Sequence, residues 1–165
     1  MRALLAPLLP LLAAGCVSSP PRVASRPVQP APRPAPPAPL PPSADWRDWP
    51  VTPGSWRYAR DARGSAASFG EAGGTALATL RCDRDGGRVL LSVAGAGALP
   101  LTVRTSSVAR TLAPTGGAVG LPAADPLLDA MAFSRGRFAL SSGPAAPLVL
   151  PAWAEVGRVV EDCRG

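Results

Sequence analysis

The chain has 165 residues, with 17 basic residues that are all arginine, 11 carboxylates, no histidine and a net charge of +6. Without histidine, neither a Ser-His-Asp nor a Cys-His nucleophile can be assembled, and the commonest metal ligand is missing. Without lysine there is no Ser-Lys dyad. The sequence also carries no Gly-x-Ser-x-Gly elbow, phosphate loop or dinucleotide fingerprint, so no cofactor is expected.

Residues 1–15 have the parts of a secretory signal: Arg2, an apolar run over residues 4–14, and small residues before a cut. Eleven helical residues rise only about 16 Å, against a hydrocarbon core of roughly 30 Å. Pro7 and Pro10 further disfavour a spanning helix. The tetrad Ala13-Ala14-Gly15-Cys16 resembles the lipobox of bacterial lipoproteins, with Ala13 where that family usually has Leu. The resemblance implies cleavage before Cys16 and acylation of its thiol and its new amine. Val17 in place of Asp points, by the same resemblance, to the outer membrane, facing the periplasm. A plain secretory signal with an incidental Cys16 is the alternative.

Residues 16–44 begin with that cysteine and hold eleven of the 22 prolines, between Pro20 and Pro42, with Arg22, Arg26 and Arg33 as the only charges. No apolar periodicity or aromatic residue is present, which predicts a disordered, extended tether. At about 3.1 Å per residue it would reach roughly 85 Å. Its arginines also account for much of the basic balance. From Asp45 onward, 13 arginines face 11 carboxylates, a net charge of about +2. The remainder is close to neutral, and nucleic acid is not an expected partner.

Residues 45–165 are expected to form a single domain. Gly and Pro turns separate short runs at 55–59, 67–69, 75–82, 88–93, 101–106 and 108–112 that read as strands. Asp83-Arg84-Asp85-Gly86-Gly87 between two of them is a hairpin signal; a calcium loop would need later acidic ligands that this stretch lacks. Asp125-Pro126 reads as an N-cap followed by proline at the first helical position, predicting a short helix over 126–133, then a strand over 137–141. Pro151 reads as the opening of a C-terminal helix over 152–163. There Trp153, Val156, Val160 and Cys163 share a face, with Val159 at its edge. The fold class is therefore α+β, mainly antiparallel β, as a small sandwich or open barrel carrying two helices.

Cys82 and Cys163 are expected to pair in an oxidising periplasm, the alternative being two buried thiols. For a hydrolase, only carboxylate pairs remain: Asp125 with Asp129, and Glu161 with Asp162. Glycoside hydrolysis needs two carboxylates roughly 5–10 Å apart across a cleft, whereas neighbours on a helix more often cap or face solvent. Trp46, Trp49 and Trp56 could form a binding surface for glycan or peptide, with Arg135 and Arg137 as an anion contact at a turn. The favoured reading is that the rings clasp the start of the domain onto its core.

The stretches 52–58, 125–138 and 159–164 resemble envelope lipoproteins of alphaproteobacteria, of the sphingomonad type, a family that implies no activity. The order helix, strand, helix ending in cysteine is also similar to the invasion-associated locus B family, which adds only a small β fold. The expected function is a non-enzymatic binding or structural module of the cell envelope. The membrane is reached through the lipid, and peptidoglycan or an envelope protein is the candidate partner. The alternatives are a cell-wall or carbohydrate hydrolase and an enzyme-inhibitor domain.

Overall fold

The computed structural model describes residues 45–165; the expected signal segment, Cys16 and the proline-rich tether lie outside the described residues. In chain order the strands are β1 (Ser55–Asp61), β2 (Gly64–Gly70), β3 (Ala78–Asp83), β4 (Arg88–Val93), β5 (Leu101–Arg104), β6 (Ala109–Leu112) and β7 (Val119–Pro122). After α1 (Pro126–Ala132) come β8 (Arg137–Ser142), β9 (Leu148–Pro151) and α2 (Ala154–Arg164). They form two antiparallel sheets, ordered β1-β2-β3-β4-β7 and β6-β5-β8-β9. The sheets are not joined into a closed barrel, so the fold is an open α+β arrangement.

Alternation along the strands builds the core. In β3, Ala78, Leu80 and Cys82 are buried, and across the ladder Leu80 faces Leu91 while Cys82 faces Val89. Leu101, Val103, Phe138, Leu140 and Leu150 of the second sheet belong to the same cluster. Each such side chain contributes about 1.5–3 kcal/mol on leaving water. The α2 helix packs on the first sheet through Val156, Val159 and Val160, and α1 packs against α2 while burying Leu127, Leu128 and Met131.

Local chemistry sets the turns. In the β3–β4 hairpin, Gly87 takes φ +60°, Asp83 Oδ1 accepts from Gly86 N at 3.3 Å, and Asp83 Oδ2 accepts from Arg88 Nε at 3.2 Å. Gly64 opens β2 at φ +144°, where a Cβ would lie 2.4 Å from the Cys82 carbonyl oxygen. Only glycine lets β2 approach the cysteine strand this closely.

Two expectations are corrected. Pro151 does not open the last helix; it ends β9, and α2 begins at Ala154 with Trp153 as its N-cap. Trp153 therefore turns outward, 47% exposed, and the helix's inner face centres on Val159, fully buried rather than at the edge. Trp56 belongs to no binding surface. It is 5% exposed, its indole Nε1 donates to the Pro151 carbonyl at 2.8 Å, and its ring meets Phe69 edge-on and stacks on Phe138.

Cys82 and Cys163 are joined by a disulfide, with Cα atoms 5.3 Å apart. It fixes the end of α2 to the interior of the first sheet. Beside it, the Tyr58 hydroxyl donates to Asp162 and accepts from Arg60, while Arg60 also pairs with Asp162. The Arg158 guanidinium lies 4.6 Å from the centre of the Tyr58 ring.

Asp125 caps α1, accepting from Leu127 N at 2.9 Å, and its two oxygens take both ends of the Arg110 guanidinium at 2.9 and 2.7 Å. Arg110 chiefly, opposed by burial and aided by the Leu127 amide, holds the Asp125 carboxyl below its ordinary value. A depressed folded-state pKa gives stability that is present above the unfolded value, near 3.9, and is lost as pH falls through the folded value. The denaturation midpoint is thus expected to fall as pH drops below about 5. Asp125→Asn keeps a good cap, so it should weaken the protein at neutral pH and flatten part of that slope. An unchanged slope would contradict the assignment.

Candidate functional site

The 3-10 turn Trp46–Asp48 begins at Asp45, whose carboxylate accepts from Arg47 N at 3.0 Å. The Arg47 guanidinium lies 5.3 Å from the centre of the Trp46 ring. From the start of β8, Arg137 Nη1 donates to the carbonyls of Trp49 at 3.1 Å and Arg47 at 3.4 Å, holding this turn against the domain. Thr52 continues the attachment. Its N donates to Val149 O, and its hydroxyl accepts from Val149 N, both at 2.9 Å. This docking covers the outer edge of β9, a row of groups that would otherwise be open to pairing.

The loop before β8 is locked to the loop after β5 by two serines. Ser134 Oγ accepts from Ser106 N at 3.0 Å and donates to Arg137 O, while Ser106 Oγ accepts from Arg135 N at 3.1 Å. The result is a cleft of about 310 Å³ lined by Trp46, Arg47, Ser106, Arg135 and Arg137. Of the sequence-predicted surface, Trp46, Arg135 and Arg137 come together. Trp49 is half-buried in the same docked segment but does not line the cleft, and Trp56 lies in the core. Among the described residues, Arg135 and Arg137 have no carboxylate partner, so the cleft presents positive charge beside an indole face.

The carboxylates behave differently. Asp125 is held by Arg110, and Asp129 is paired end-on with Arg164 at 2.8 and 3.0 Å. Asp162 is bound by Tyr58 and Arg60, leaving Glu161 exposed on α2. Burial pushes the Asp162 carboxyl up, but Tyr58, Ser65 and Arg60 outweigh it and leave it below the ordinary value. The buried Ser65 hydroxyl adds to this pull from nearby without a hydrogen bond of ordinary geometry. A general acid at neutral pH needs the opposite shift.

Among the described residues no group of three His, Cys, Asp or Glu side chains could hold a metal, and no helix is long and apolar enough to cross a membrane. No family model, curated protein or solved structure matches the chain. Functional assignment therefore rests on the site itself.

Sequence reasoning missed Ser106 and Arg47 in the cleft. It also missed the exposure of Phe133 and Trp153, which flank a separate groove between the two helices.

Proposed function

We propose that the protein is a non-enzymatic lipoprotein of the cell envelope, anchored through Cys16 and meeting an anionic partner through the Trp46–Arg47–Arg135–Arg137 cleft. The convergence of three guanidinium groups on one cleft, of which Arg47 is paired with Asp45 at 3.3 Å and Arg135 and Arg137 with no carboxylate among the described residues, carries the binding part of this reading. Guanidinium forks match carboxylates bidentately, and an indole face accepts the apolar body that bears them. The peptide carboxylates of peptidoglycan fit this description; an acidic face of an envelope protein is the other occupant in the same compartment. The lipobox-like tetrad and the proline-rich stretch support the anchor and the spacing from the membrane. The carboxylates a hydrolase would use are paired with arginines or exposed on a helix, which favours binding over hydrolysis.

An aromatic photo-crosslinking residue at position 46 tests the reading in intact cells. Capture of cell-wall peptide or of one envelope protein is expected, and Arg135→Glu should abolish it. No capture, or capture indifferent to Arg135→Glu, would count against the cleft.

A further inference from the structure

We propose that the groove between the end of α1 and the start of α2, walled by Phe133 and Trp153, is a binding site for a neutral oligosaccharide. Phe133 is 79% exposed and Trp153 47% exposed, and both line one groove of about 440 Å³, a size suited to a small ligand. Their backbones close one helix and open the other. Phe133 closes α1 by donating its N–H to Asp129 O, and Trp153 opens α2 by offering its carbonyl to Val156 N. Two large rings beside the same groove are an uncommon exposure for a surface that contacts only water.

The floor is made of small residues, among them Ala132 and Gly157. Glycine inside a helix costs about 1 kcal/mol against alanine. Here a Cβ on Gly157 would meet only Ala132 Cβ at 3.8 Å, an ordinary contact, so packing does not require glycine. Leaving out that methyl keeps the floor low between the rings.

Arg158 and Glu161 complete the rim. One offers only donors and the other only acceptors. A pyranose presents an apolar C–H face to stack on a ring and hydroxyls that both donate and accept. It therefore satisfies the aromatic walls and both charges together. An apolar peptide would strip water from Arg158 and Glu161 without replacing it, and the opposed charges of the rim give an anion no net attraction. The site is separate from the arginine cleft and does not depend on lipidation of Cys16.

Calorimetric titration of the full chain with tetra-N-acetylchitotetraose and with cellotetraose tests this. Saturable binding of at least one sugar is expected, weakened about tenfold or more by Trp153→Ala and by Phe133→Ala. Arg135→Glu should leave it unchanged. Both aromatic substitutions are at exposed positions, and unchanged melting curves would verify that the fold survives. Three results would overturn the proposal. One is no saturable binding of either sugar. Another is native affinity in both aromatic variants. The third is self-association of the native chain that Phe133→Ala abolishes, which would assign the groove to a second copy.

Discussion

Replacing Cys82 and Cys163 together by alanine is expected to destabilise the domain by about 2–5 kcal/mol. The two cysteines are 81 positions apart, so the bridge closes most of the folded chain into one loop. In the chain-entropy account a loop of that length restricts the unfolded ensemble strongly. A second contribution comes from packing, because Cys82 is fully buried where β3 faces Val89 and α2. The helix should nevertheless stay in place. Val156, Val159 and Val160 remain buried, and Tyr58 and Arg60 still hold Asp162. The prediction is thus a large loss of stability with the native far-ultraviolet spectrum retained. Urea unfolding of the native and doubly substituted chains reads it directly. Equal midpoints with equal slopes would mean that the bridge contributes nothing.

Trp56→Ala is expected to cost about 3–5 kcal/mol, comparable to or greater than the disulfide. The indole fills space between the two sheets, against Phe69 from the first and Phe138 from the second. Its removal leaves a cavity and also strips the donor from the Pro151 carbonyl. Trp56→Phe separates the two effects. It keeps much of the apolar contact and loses the hydrogen bond, for an expected cost of about 1–3 kcal/mol. Trp46→Ala, at the rim of the cleft, should cost much less than either. Equilibrium unfolding of the three variants checks the order, and a Trp46 effect as large as that of Trp56 would contradict the placement of the core.

These two sites also show what the sequence carried and what it did not. Period-2 patterning with flanking glycines located β1 to β6 and β8 to within a few residues, and Asp125-Pro126 marked α1 because capping is local chemistry. The edge strands β7 and β9 escaped. Each is four residues long and ends in proline, at Pro122 and Pro151, and a proline next to a short apolar run reads equally well as a helix start. That ambiguity at Pro151 displaced the start of α2 and turned Trp153 inward on paper. The three tryptophans near the start of the domain gave one compositional signal. Their separation into a core ring, a docked ring and a cleft ring depends on residues far along the chain: Phe138 and Pro151 for Trp56, Arg137 for the docked segment, Arg135 for the cleft. Ser106 was invisible as a site residue because its role is to hold the 134–137 loop, a pairing set by tertiary structure alone.

A lipid at Cys16, as proposed, would place the domain in the envelope. Intact mass measurement of the protein extracted from membranes tests it most directly. The account predicts a chain that begins at Cys16 and carries the added mass of acyl chains, with Cys16→Ser lacking that mass and leaving the membrane fraction. A chain of unmodified mass, or a Cys16→Ser protein that fractionates with membranes as the native one does, would contradict it.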